Sequence, residues 1–86
     1  MHNTIKWEEI PVSTYSGARA NERPLSFIFN GKKINISKIL YTSLEESIDT
    51  RKRVRYFEVT SSDSSARKIY HDLQTDKWFM EIRKND

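Results

Sequence analysis

The sequence predicts an all-β domain, a small antiparallel meander of five or six short strands curled on itself. Three observations predict it. Asn30-Gly31 sits between two alternating apolar-polar runs. Further segments repeat large apolar residues at period two, the spacing that places alternate side chains on one face of a strand. Clusters of Ser, Thr, Asn and Asp separate these runs, and such side chains hydrogen-bond nearby backbone in turns.

Each element follows from its residues. Glu8 to Tyr15 reads as a first strand, with Pro11 marking an edge because it has no amide hydrogen. Residues 1–7 read as an N-terminal tail and residues 8–84 as the single domain; Trp7 either folds back as a plug, the favoured reading, or stands exposed as a contact for a partner. Pro24 to Phe29 places Leu25, Phe27 and Phe29 on one face. Asn30-Gly31 tolerates the positive φ of a two-residue hairpin turn. Lys32 to Ile36 returns with Ile34 and Ile36 on one face. Ser43-Leu44-Glu45-Glu46 fits a helix capping box, so the segment to Thr50 reads as a loop with a helical turn. Arg51 to Thr60 is rich in strand formers, but Val54 and Tyr56 oppose Phe57 and Val59 in parity. Either both faces are covered, or a bulge near Tyr56 flips the register; the bulge is the favoured reading. Ser61 to Ser65 is a polar turn. Ala66 to Leu73 aligns Ile69, His71 and Leu73, Gln74-Thr75-Asp76 turns, and Lys77 to Arg83 aligns Trp78, Met80 and Ile82. A flat sheet of these strands would leave one face and two edges bare. The expected architecture is therefore an SH3-like or partly open barrel.

Size and composition fit this frame. The chain has 86 residues, 36% apolar and 31% charged, which allows one domain with a thin core. There is no cysteine, so no disulfide framework, thiolate nucleophile or cysteine-based zinc site is available. No apolar run approaches the roughly 20 residues of a membrane-spanning helix. The start of the chain lacks a signal-peptide core. These features lead to the expectation of a cytoplasmic protein with no membrane contact. The net charge is +3. Residues 1–50 balance six basic against six acidic side chains, and residues 51–86 carry nine against six, so the excess lies in the second part.

The run Tyr15-Ser16-Gly17-Ala18-Arg19-Ala20-Asn21-Glu22-Arg23-Pro24-Leu25-Ser26-Phe27 resembles a bacterial family of short, uncharacterised cytoplasmic proteins. The shared plan is a glycine-containing loop, then Asn-Glu-Arg-Pro-Leu-Ser-Phe, a strand with a glycine turn, an aromatic strand such as Tyr56-Phe57-Glu58-Val59, and a closing strand such as Lys77-Trp78-Phe79-Met80. The resemblance spans about residues 13–82. This chain departs from the plan at Tyr41-Thr42-Ser43-Leu44, where a polar-Trp element is expected, and at Ser61 to Ser65, which lacks a glycine. The resemblance implies a small β domain and brings no catalytic residues.

Two clusters are candidates for contact with a partner. Arg51, Lys52, Arg53 and Arg55, with Lys32 and Lys33 at the hairpin, would neutralise phosphates, and Tyr56 or Tyr70 would stack a base, if they converge on one face. Arginines paired to Glu45, Glu46 or Asp49 on a solvated strand would have no such role. The loop from Tyr15 to Pro24 offers Tyr15, Arg19 and Arg23 as a contact, or a Glu22–Arg23 clamp over the barrel mouth. His71-Asp72 with Asp76 lacks the third convergent ligand a metal needs, so His71 is expected to pack in the core. With only two glycines, there is no phosphate loop, dinucleotide fingerprint or nucleophile elbow. The reading is a non-enzymatic binding or adaptor domain without metal or cofactor, a monomer or weak dimer, contacting a protein or peptide. The alternative is weak binding of single-stranded nucleic acid.

Overall fold

The computed structural model describes residues 3–15 and 23–85. The described residues form seven strands and no helix: β1 (Asn3–Glu9), β2 (Val12–Tyr15), β3 (Arg23–Phe29), β4 (Lys32–Glu46), β5 (Arg53–Ser61), β6 (Ala66–Asp72) and β7 (Lys77–Asn85). They form one sheet in the order β1-β7-β6-β5-β4-β3-β2, and every pairing is antiparallel. From β2 to β7 each strand pairs with the next in sequence, as the sequence predicts.

The additional strand comes from the N-terminus. Residues 3–7, expected as a tail, pair along β7, with Asn3 opposite Asn85 and Trp7 opposite Glu81. The strand expected from Glu8 to Tyr15 is broken at Ile10-Pro11. There the Ile10 amide donates to the Trp78 carbonyl of β7 at 3.0 Å, and the Pro11 carbonyl accepts from the Ile28 amide of β3 at 3.0 Å. Two residues thus carry the chain from one edge of the sheet to the other. Pro11 suits the crossing because it has no amide hydrogen to leave unpaired. Such a short crossing requires the sheet to curl until β7 and β3 approach each other. The result is a curled half-barrel.

The core lies on the inner face. Ile10, Phe27, Phe57, Val59, Ile69, Trp78 and Met80 are its buried apolar residues, with Val12, Phe29, Ile34, Ile36, Ile39 and Ile82 packed around them. Burial of each large side chain contributes roughly 1.5–3 kcal/mol. Phe57 stacks on Trp78 with centroids 5.7 Å apart.

Two local expectations are corrected. Ser43-Leu44-Glu45-Glu46 is strand, not helical turn: β4 runs on to Glu46, with Ser43 opposite Tyr56 and Glu46 opposite Arg53. A two-turn helix has little stability alone, whereas the ladder to β5 satisfies this backbone. The bulge near Tyr56 is absent as well. β5 pairs in unbroken register with β6 from Val54 to Thr60, and the irregularities lie in β4, between Ile36 and Lys38 and between Ile39 and Tyr41. The parity conflict in β5 records two covered faces.

The turns follow their chemistry. Asn30 and Gly31 have φ of 52° and 75°, the left-handed pair the hairpin requires. In the Ser61–Ser65 turn, Ser64 takes φ of 67° in place of a glycine. The Asp63 carboxylate accepts hydrogen bonds from the Ser61 hydroxyl and the Ser65 amide.

Candidate functional site

Alternation in β5, β6 and β7 sends Phe57, Ile69 and Met80 inward. The same alternation sends Tyr56, Tyr70 and Phe79 to the opposite, outer face. There Tyr56 stands directly opposite Tyr70, and Tyr70 opposite Phe79. Tyr70 and Phe79 stack at 4.8 Å. Trp7 leans over from β1, edge-on to Tyr70 at 4.9 Å and tilted to Tyr56 at 6.3 Å. Tyr56 and Tyr70 lie 5.6 Å apart at 52°. These separations suit mutually tilted rings.

The rings wall an open groove of about 330 Å³, lined by Trp7, Glu45, Glu46, Ser47, Lys52, Val54, Tyr56 and Tyr70. Its charges are unevenly matched. Lys52 lies 3.7 Å from the Asp72 carboxylate, and Arg53 lies 3.8 Å from Glu46. No cation among the described residues pairs with Glu45. Burial and then the Glu45 carboxylate push the Tyr56 phenol above its ordinary pKa, against a smaller opposing effect of Lys52. Burial and then Asp72 push Tyr70 in the same direction. Both phenols therefore stay neutral near pH 7. Neutral ring faces beside an unmatched carboxylate attract a cation through the ring quadrupoles and the charge together.

The basic cluster does not assemble. Arg51 stands outside β5, in the turn before it, with φ of 56°. Its carbonyl accepts from the Gln74 side-chain amide at 2.7 Å. Lys52 and Arg53 are occupied by Asp72 and Glu46. Arg55 is half-buried on the inner face, opposite His71 and Leu44. Lys32 and Lys33 are exposed at the far end of the 15-residue strand β4. Tyr56 faces the groove, away from Arg55. The convergence on which the nucleic-acid alternative depends is not present among the described residues.

Of the loop candidates, Tyr15 and Arg23 are exposed and directly opposite each other at the ends of β2 and β3. Arg19, with the Glu22 of the suggested clamp, lies outside the described residues. His71 is buried, as expected, and lies flat on Trp78 at 4.1 Å and 4°. Its Nε2 is 2.7 Å from Asp76 Oδ1. Asp72 turns away from it and accepts hydrogen bonds from the Gln74 and Thr75 amides. Burial, the largest influence on Asp72, pushes its carboxyl up. Those two amides and Lys52 together outweigh burial and hold it below the usual carboxylate range. Among the described residues no group of three or more His, Cys, Asp or Glu is placed to hold a metal ion.

Sequence reasoning missed Glu45 and the convergence of the rings: Tyr70 is offered by the sequence with Tyr56 as a stacking ring, and Trp7 stands in β1 against both tyrosines on the outer face and does not fold back as a plug. The signal for the rings was present: Ile5 and Trp7 alternate like a strand, and one aromatic of off-core parity recurs in each of β5, β6 and β7. Comparison with protein-family models, with curated proteins and with solved structures found no match.

Proposed function

We propose that this domain is a non-enzymatic binding module that takes a protein or peptide segment bearing a cationic side chain. The groove of Trp7, Tyr56 and Tyr70 receives the side chain beside Glu45. The observation that carries the reading is the pairing of tilted, partly exposed rings with a carboxylate that has no cation of its own among the described residues. A lysine or arginine from a partner supplies the missing charge and lays its aliphatic stem along the rings. Affinity from one such contact is modest, because a cation over an exposed ring contributes only about 0.5–1 kcal/mol. The remaining affinity comes from the segment that carries it.

The test is an amide and indole shift titration with a capped octapeptide carrying two arginines, run beside the same peptide with glutamine at those positions. The expected result is saturable shifts at Trp7, Tyr56 and Tyr70 with the arginine peptide alone. Glu45→Gln is expected to weaken binding about three- to tenfold. Equal shifts with both peptides, or shifts that avoid the groove, would overturn the reading. A parallel titration with single-stranded DNA checks the nucleic-acid alternative, for which steep loss of signal with salt is the signature.

A further inference from the structure

β3 covers β4 only from Lys32 to Asn35. From Ile36 to Glu46 the strand is laddered to β5 on one side, and among the described residues no strand flanks its other side. Among the described residues this is the longest open edge of the sheet, and it carries exposed apolar side chains between its polar ones. Leu40, Tyr41 and Leu44 are 54%, 57% and 44% exposed. An open edge with unpaired amides and carbonyls is a template for another strand.

We infer that this edge pairs with the same edge of a second copy of the chain, antiparallel about a two-fold axis at Thr42. The argument is charge and face complementarity. Lys38 stands opposite Thr60, and Glu45 opposite Val54; both partners alternate with Tyr56 in β5, so Lys38 and Glu45 share the outer face. Ile39, Thr42 and Leu44 stand opposite Val59, Phe57 and Arg55 and share the inner face. Leu40 is the extra residue at the irregularity between Ile39 and Tyr41. When Thr42 faces its own copy, Tyr41 faces Ser43. The bulged pair Ile39-Leu40 then faces Leu44, and Lys38 faces Glu45. Two-fold symmetry makes each contact twice, so two opposite-charge pairs and two apolar pairs form at once. Ile39, Thr42 and Leu44 meet on the inner face, and Lys38, Tyr41, Ser43 and Glu45 on the outer face, a match that a one-residue slip would destroy.

A lysine and bulges on an edge also serve to discourage pairing. Here the lysine has its complement seven residues along, and a bulge meets a single residue of the partner, which is the ordinary geometry of a bulge in a ladder. The devices that block indiscriminate addition thus leave one register open. The inference does not rest on the groove reading, since no ring of the groove takes part in the pairing; Glu45 is shared, so Lys38 of the second copy and a cationic side chain in the groove compete for it.

The test is sedimentation of the purified protein from about 10 μM to about 1 mM, the range in which a modest strand-to-strand contact would show. A reversible monomer–dimer equilibrium is expected. Lys38→Glu and Glu45→Lys each place like charges opposite one another twice, and each is expected to weaken dimerisation at least about tenfold. An equimolar mixture of the two variants restores opposite charges at both contacts and is expected to recover it, which also shows that both variants are folded. A wild-type protein that stays monomeric at about 1 mM overturns the inference. So does a dimer indifferent to both reversals, or a mixture that fails to associate.

Discussion

Four non-glycine residues of the described chain hold positive φ, namely Asn30, Arg51, Ser64 and Asp76. Each stands at a turn between strands. A non-glycine residue there costs roughly 1 kcal/mol, so a side chain that gives something back is expected at such a site. Asp76 does so. At φ of 59° it accepts from, or pairs with, His71 Nε2 at 2.7 Å, while the His71 ring is buried flat on Trp78. Removing the carboxylate leaves a buried ring nitrogen unsatisfied and a Cβ in the left-handed region without compensation. Asp76→Ala is therefore expected to destabilise the fold by about 2–3 kcal/mol. Asp76→Asn keeps an acceptor and a residue that tolerates left-handed backbone, and is expected to cost less than about 1 kcal/mol. Urea unfolding of the two variants at pH 7 checks this; equal losses would show that the contact with His71 contributes nothing. At this scale the sequence was partly readable. The Asn30-Gly31 turn announces itself through residue type. Arg51 does not, because nothing in Arg51-Lys52-Arg53 signals that its first member turns left-handed and removes it from the strand.

Strands β5, β6 and β7 were readable as elements because alternation is local, but their second face was not. An alternating run names one apolar face, and an aromatic residue of opposite parity then looks like an error in register. In β5 that parity conflict suggested a bulge at Tyr56. The pairing instead places Tyr56, Tyr70 and Phe79 in line across three strands, where each covers its neighbour. The same limit hid β1 and the far half of β4. Asn3–Glu9 and Ser43–Glu46 become strand because β7 and β5 stand beside them, and pairing across that much sequence leaves no mark on local composition. If the outer ladder stabilises the sheet, its rings are coupled. A double-mutant cycle on Tyr70→Ala and Phe79→Ala is expected to give an interaction of about 0.5–1.5 kcal/mol, beyond the loss of area in either single variant. Additive losses in denaturant unfolding would mean that the outer rings are only neighbours, held in place by the inner core.

The molecule as a whole buries a thin core in a chain of 86 residues, so its stability is small and charges at the strand ends weigh on it. Two carboxyls and two phenols set the direction of its pH dependence. The Ser61 hydroxyl, then the Ser65 amide and Arg67, hold Asp63 below the usual carboxylate range, and Asp72 is held below it as well. As pH falls, the unfolded chain binds these protons first, at about 3.9. The stabilisation is thus present above that value and is lost as pH falls through the lower folded pKa values. Tyr56 and Tyr70 are raised. Here the unfolded chain loses its protons first, near 10, so stability is intact below that value and is lost as pH rises beyond it. Urea midpoints are therefore expected to be level between about pH 6 and about pH 9 and to fall on both sides, on the acid side below about pH 4. Acid also raises the net charge above its +3 at neutrality, and general repulsion would produce a similar decline. The double variant Asp63→Asn/Asp72→Asn separates the two causes. It removes the titrating groups while asparagine retains acceptors for the turn amides, so a flattened acid limb assigns the loss to these two carboxylates. An unchanged limb would assign it to charge spread over the whole surface, and the turns would then be bystanders in acid unfolding.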